Sequence, residues 1–319
     1  MHPKLGRGVK ALLQAVEAGL LAQAEANTEF ISQAARHLIA AGGKRFRPTL
    51  VILASQLGGR EADADAVVKA CLVVELTHVA SLYHDDVMDE AEVRRSVPSA
   101  NARYGNLRAI LVGDYLFARA SAIVAELGVE YVALQARTFQ RLVQGQINET
   151  LQPAGLAQTS LESYLQVIAD KTGSLISTSA VFGGMVAGLG PDQLAALAAF
   201  GEEIGMVFQL SDDILDIESD ESGKTPGTDL KAGVPTLPTL LALTDGAGRL
   251  QDLLAKPGLT DAEVAEAVTL LRAHPALAQA KAEVERRAAI ARAHLDCFPD
   301  SPAKRTLQSL TTDLINRSS

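Results

Sequence analysis

The chain has 319 residues, 29 Lys plus Arg against 38 Asp plus Glu, a formal net charge of −9 and 48% hydrophobic residues. That composition excludes a disordered chain, and the acidic balance argues against a nucleic-acid binder, which would present a basic surface. Its two cysteines, Cys71 and Cys297, lie far apart with no Cys-x-x-Cys spacing, which speaks against a disulfide scaffold or a zinc site. Met1 to Leu20 has no apolar run ending in a small-residue cleavage site, so no signal peptide is expected and the cytoplasm is the default location.

Ala and Leu recur at i, i+3, i+4 spacing and β-branched alternation is scarce, which predicts an all-α fold. In chain order, helices are expected at about 5–22, 27–41, 46–57, 62–90, 98–105, 107–127, 129–151, 160–188, 191–220, 236–244, 248–255, 260–272, 275–296 and 302–317. Thr159-x-x-Glu162 and Thr260-x-x-Glu263 have capping-box form, and Pro302 follows Ser301 as a first helical residue would. No linker, low-complexity tract or composition break interrupts the series, so a single domain, 1–319, is expected. The uncharged stretch Gly173–Gly190 holds five Gly and four Ser or Thr, and reads as a closely packed buried helix rather than a membrane span. The segment from about 245 onward reads as a packing subregion, whereas the glycine-bearing loop 221–229 is of a kind that carries function.

Two acidic clusters stand out, Asp85-Asp86-Val87-Met88-Asp89 and Asp212-Asp213-Ile214-Leu215-Asp216. On a helix, Asp85 and Asp89 share a face, as do Asp212 and Asp216, so like charges repel. Each cluster also closes a long helical pattern, where the helix dipole is already negative. A solvated acidic face is the plain alternative, but both clusters are embedded in apolar sequence. Oxygen-only carboxylate sets with open positions suit Mg²⁺, which keeps waters and shares its coordination with phosphates.

Cations accompany the acids. Gly42-Gly43-Lys44-Arg45-Phe46-Arg47-Pro48 sets three at a helix start, Arg94-Arg95 follows the first cluster, and Lys171-Thr172 and Lys224 come later. Helix N-termini and paired arginines bind anions well, although each such residue taken alone is usually a surface charge. His78 lies two turns before Asp85; a lone His on an apolar helix is more often a satisfied core residue than a ligand, and His84 reads either as support or as packing.

Taken in order, Gly43-Lys44…Arg47-Pro48, Leu82-Tyr-His-Asp-Asp-Val-Met-Asp89, Arg94-Arg95, Gly113-Asp114-Tyr115, Phe208-Gln-Leu-Ser-Asp-Asp-Ile-Leu-Asp216 and Gly223-Lys224…Gly227-Thr-Asp229 resemble the trans-isoprenyl (polyprenyl) diphosphate synthases. The resemblance implies an all-helical bundle around a central apolar cavity, a homodimer, and a Mg²⁺-dependent condensation of an allylic diphosphate with isopentenyl diphosphate, with three Mg²⁺ per substrate-bound site. It implies Lys44, Arg47, His78 and Arg95 as isopentenyl diphosphate contacts. Asp85, Asp89, Asp212 and Asp216 are implied as metal ligands, with Asp86 and Asp213 in support. Arg94, Lys171, Thr172, Gln209 and Lys224 are implied to hold the allylic diphosphate. Asp85, Asp86, Asp89, Arg94, Lys171, Asp212, Asp213 and Lys224 form the implied catalytic set. One departure is Asp229-Leu-Lys-Ala-Gly-Val-Pro-Thr-Leu-Pro238, where many members carry a second loop cation; it is absent here or replaced by Lys231.

One turn below Asp85 stand Ala80 and Ser81, with Thr77 a turn further down. In the resembling family, bulky aromatics just below the first Asp cluster stop short products. Small residues here imply a medium-to-long product, roughly C30 to C50, with a shorter geranylgeranyl or farnesyl product as the alternative. Asp216 and the Lys44/Arg47 pair argue against a class I terpene cyclase, and the complete clusters argue against a non-catalytic partner subunit. Such a product is apolar enough for transient membrane contact at release, though no segment is an evident anchor.

Overall fold

The computed structural model describes residues 6–59, 61–151, 158–218, 226–246 and 248–316. It is all-α, as the periodicity predicts; the only strands among the described residues are a two-by-two hairpin, β1 (Val93–Arg94) and β2 (Val97–Pro98). By contacts the chain forms two compact units. One comprises Met1–Thr138, Thr178–Ala198 and Phe298–Thr306, the other Phe139–Ser177, Ala199–Cys297 and Leu307–Ser319. Each is assembled from three separate stretches, so no single point along the sequence divides them.

In the first unit, α1 (Arg7–Gln23), α3 (Phe46–Ser55), α5 (Ala100–Tyr104) and α6 (Asn106–Leu127) pack on α4 (Ala64–Met88), and α2 (Glu29–Ala40) packs on α6. Buried residues run all round α4, including Val67, Cys71, Leu72, Val74, Leu76 and Tyr83, the pattern of a central helix rather than a one-faced one. By contrast α6 buries a stripe, Ala109, Val112, Gly113, Leu116 and Ala120. Gly113 permits the approach, since a Cβ there would lie 2.3 Å from His84 Nε2 and 3.3 Å from Ala80 O.

The second unit contains α8 (Leu161–Ile168), α11 (Thr228–Ala232), α12 (Leu237–Leu243), α13 (Arg249–Ala255), α14 (Asp261–Ala273) and α15 (Pro275–His294). Ile217, Leu230, Ala242, Leu253, Val264, Ala267 and Leu271 form its apolar cluster. The Thr260/Glu263 capping box forms on α14, and Ser301 Oγ accepts from Lys304 N at 3.1 Å ahead of Pro302, where α16 (Pro302–Ile315) begins.

Three local readings need correction. Ser160, not Thr159, caps α8, its hydroxyl accepting from Ser163 N at 3.1 Å. The helix expected over 160–188 is interrupted by a π-helical turn, Ala169–Gly173, before α9 (Ser174–Val186). The five-residue α11 starts inside the loop read over 221–229 and runs on to Ala232, where no helix is expected. Two helices, α4 and α10 (Pro191–Glu218), are long and apolar enough to cross a membrane by length and composition, but 72% and 50% of their apolar windows are buried within the protein. Both cysteines are free.

Candidate active site

The first acidic cluster closes α4, as its position after a long apolar run implies. Asp89 is the C-cap, its N–H donating to Asp85 O at 2.8 Å. Asp86 is fully buried; Arg94 Nε donates to its Oδ1 at 2.6 Å, while Oδ2 is enclosed without a hydrogen-bond partner. Burial pushes the Asp86 carboxyl up against the downward pull of Arg94. Arg94 sits on β1, and the two residues after it turn the hairpin with φ of 53° at Arg95 and 63° at Ser96. Two-residue hairpin loops with both φ positive normally carry Asn-Gly, so here Arg95 occupies a strained position.

Beside this cluster in the same unit lie most of the cations expected to bind isopentenyl diphosphate. Arg95 Nη1 donates to Leu38 O at 2.7 Å. Burial, offset by Glu75 and reinforced by Arg95, lowers Arg47 to about 10, still charged at neutral pH. Its Nε is enclosed without a partner. His78 is held well below its ordinary 6.5, first by burial and then by Arg47, Arg95, Arg45 and Arg94, and so is neutral. These residues therefore share one field, and the structure brings Arg47, His78, Arg94 and Arg95 together. Lys44 is exposed. Arg45 itself, the third cation of that segment, is bound to Glu17 and Glu75 and belongs to the scaffold.

The second cluster lies near the end of α10, with Asp212 exposed and Asp213 buried. Asp213 Oδ2 accepts from the Tyr164 hydroxyl and from Leu237 N at 3.1 Å, and Oδ1 accepts from Gln209 Nε2 at 3.3 Å. Burial raises its carboxyl to about 7 against the pull of those donors. Asp216 accepts from Thr228 N and Asp229 N, one to each oxygen at 3.1 Å, and so receives the start of α11. A cavity of about 180 Å³ in this unit is lined by Lys171, Thr172, Gln209 and Asp213, all expected at the site, by Asp229 and Val234 of the divergent 229–238 segment, and by Glu149 and Tyr164, which no motif marks. Lys171 is presented by the π-turn and ion-paired with Glu149.

Lys231 does not take the place of the absent loop cation: it pairs with Asp261 at 2.7 Å and lines a different cavity, with Pro226, Thr228 and Arg272. Val234 lines the Lys171 cavity instead. Lys224 lies outside the described residues. Thr77, Ala80 and Ser81 are buried in α4, with Thr77 Oγ1 accepting from Gln135 Nε2 at 3.4 Å.

No three His, Cys, Asp or Glu side chains converge as a ready-made metal cage among the described residues. The donor set fits a hydrated hard cation nonetheless. All donors are carboxylate oxygens, Asp89 and Asp212 reach solvent, and the buried Asp86 Oδ2 is unsatisfied. Such an ion takes its remaining ligands from water and phosphate.

A helical fold carrying carboxylate clusters at two helix ends, together with a desolvated set of arginines, defines an isoprenoid-synthase-type enzyme. The chain belongs to the polyprenyl synthetase family, whose model matches residues 28–271, and is thus a trans-prenyltransferase. It is 50% identical over 296 residues to the nonaprenyl diphosphate synthase of Mycobacterium tuberculosis, covering 91% of this chain and 87% of that one. Among solved structures, the Caulobacter crescentus polyprenyl synthase complexed with calcium and isoprenyl diphosphate superposes with a TM-score of 0.92 at 31% identity, covering 99% and 98% of the two chains. The Corynebacterium glutamicum geranylgeranyl pyrophosphate synthase, also complexed with calcium and isoprenyl diphosphate, gives 0.88 at 42%, covering 100% and 98%.

Proposed function

We propose that this enzyme extends an allylic diphosphate with isopentenyl diphosphate to a medium- or long-chain trans-polyprenyl diphosphate, roughly C30 to C50. The observation that carries the length is the pair Ala80 and Ser81 on α4 below Asp85, small where a bulky floor would end the chain early. The likeness to a nonaprenyl diphosphate synthase supports it.

In this reading Arg47, Arg95 and Lys44, with neutral His78 as a hydrogen-bonding neighbour, hold the isopentenyl diphosphate. Arg94, Lys171, Thr172, Gln209 and Lys224 hold the allylic diphosphate. Asp85, Asp89, Asp212 and Asp216 would hold Mg²⁺, three ions in all, and Asp86 and Asp213 support them from buried positions. When bound, the metal supplies charge neutralisation for the departing diphosphate. Arg94 and Lys171 are paired with Asp86 and Glu149 before substrate arrives, so the incoming phosphates compete for cations already charged and oriented. The allylic C–O bond ionises with its electron pair leaving on the diphosphate, the isopentenyl double bond attacks the carbocation, and the resulting cation loses a proton to the released diphosphate as the new double bond forms. Apolar helix faces keep out water that would quench the cation.

The enzyme works as a homodimer in the cytoplasm, with no nucleic-acid partner and with transient membrane contact when its apolar product leaves. The test is incubation with farnesyl diphosphate, labelled isopentenyl diphosphate and Mg²⁺, followed by sizing of the products. Products of C30 to C50, abolished by chelation, are expected. Accumulation of C15 or C20 alone would overturn the chain length, and absence of incorporation would overturn the function.

A further inference from the structure

We propose that Glu75 is a positioning residue for the isopentenyl diphosphate site, the anion that assembles its arginines before substrate binds; the inference rests on the functional reading above. Glu75 lies on α4, one turn before His78, with its side chain only 3% exposed. Its Oε1 accepts from Arg45 Nη1 at 3.0 Å and stands 4.0 Å from Arg95 Nη2, and its charge also acts on Arg47. One buried carboxylate thus faces three guanidinium groups.

Arg45 carries this organisation into the backbone. Its Nε and Nη2 donate to Glu17 Oε1 and Oε2 at 2.5 and 3.0 Å, and Nη2 also donates to Ile39 O at 3.1 Å. Its backbone is left-handed, φ 49° and ψ 43°, at the N-cap of α3. A non-glycine residue stays in that conformation only where its surroundings hold it. The ion pairs to Glu17 and Glu75 do so, and this corner sets exposed Lys44 on one side and half-buried Arg47 on the other.

The logic is electrostatic. Burial, first of all, and then repulsion lower Arg47 and Arg95, Arg95 repelling Arg47 and being repelled by Arg45 and Arg94, whereas Arg45, paired with Glu17 and Glu75, is raised. Without an anion the arginines would splay, and Arg95, on its strained turn, would keep Leu38 O as its described hydrogen bond. Glu75 is more deeply buried than Arg95, whose side chain is 16% exposed, so it organises the cations from beneath and leaves their outer donors to the diphosphate.

The experiment compares Glu75→Gln and Glu17→Gln with the wild-type enzyme, measuring initial rates against isopentenyl diphosphate and against the allylic substrate separately, after circular dichroism has established folding. Glu75→Gln is expected to raise KM for isopentenyl diphosphate by about tenfold or more, with the allylic KM within about twofold and kcat changed less. Glu17→Gln, which touches Arg45 from the solvent side, is expected to raise the same KM by a smaller factor. A purely structural role would lower the active fraction, hence kcat, and leave both KM values alone. A folded Glu75→Gln enzyme with wild-type KM overturns the proposal. If Glu75→Gln does not fold, an unchanged KM in Glu17→Gln overturns it and a raised one supports it. A wild-type enzyme that incorporates no isopentenyl diphosphate fails the functional reading first, and that outcome is distinct from either.

Discussion

The hydroxyl of Tyr164 on α8 donates to Oδ2 of Asp213, the middle carboxylate of the second acidic cluster, across 49 residues of sequence. Tyr164 is 5% exposed and Asp213 3%, so this bond joins two buried groups on the wall of the Lys171 cavity. Tyr164→Phe keeps the ring and removes the donor, leaving Asp213 with Leu237 N and Gln209. Loss of a hydrogen bond to a buried carboxyl costs about 1–3 kcal/mol, so the urea midpoint is expected to fall with the m-value unchanged.

Gly145 on α7 (Val129–Thr150) lies against the π-turn, and a Cβ there would stand 2.6 Å from Lys171 N and 3.0 Å from Lys171 Cα. Both are backbone atoms and cannot swing aside. In an unconstrained helix Gly→Ala stabilises by about 1 kcal/mol, whereas forced overpacking destabilises by about 1–3 kcal/mol. Gly145→Ala is therefore expected to lower the thermal midpoint and, by displacing Lys171, to raise KM for the allylic substrate. A raised midpoint would show that the turn has room.

His78 makes stability depend on pH. Its pKa in the fold is depressed below 6.5, so between the two values the unfolded chain binds a proton that the native one excludes. Its contribution is present above pH 6.5 and is lost as pH falls below that value. Asp213 acts in the opposite sense, its carboxyl being raised from 3.8 to about 7, so its contribution is lost as pH rises through that range. The wild-type profile sums both. Denaturation curves of wild type and His78→Gln between pH 5 and 8 separate them: the wild-type advantage is expected to shrink toward pH 5.

Ser81 and Ala80 differ as sites for a floor. Ser81 is 8% exposed and its Oγ donates to His78 O at 2.8 Å, whereas Ala80 is fully buried where α6 approaches at Gly113. Ser81→Phe is therefore expected to shorten the dominant product with less loss of stability than Ala80→Phe. An unchanged product distribution in a folded Ser81→Phe enzyme would show that this face of α4 does not line the path of the growing chain.

Much of the site was legible because its signals are local. An Asp at i and i+4 after an apolar run needs nothing distant to be recognised, and both clusters fall near helix ends as expected. The partners of those residues were not legible. Which of Lys44, Arg45 and Arg47 belongs to the scaffold depends on Glu17 and Glu75, which are 28 and 30 residues from Arg45. Tyr164 and Glu149 carry no motif and enter the Lys171 cavity only through packing. The π-turn was hidden because one inserted residue barely disturbs a helical period.

The chain's periodicity alone dictates an all-helical protein, and the order of its acidic and basic motifs dictates the family, because helical faces and motif spacings are properties of neighbouring residues. Tertiary structure decided the rest. It buried Asp86 and Asp213 while leaving Asp89 and Asp212 in solvent, assigned Arg45 to the scaffold, turned Lys231 toward Asp261, and built two compact units from interleaved stretches of chain. Burial and charge pairing set each group's protonation and reach, and both depend on residues that only folding brings within a few ångströms.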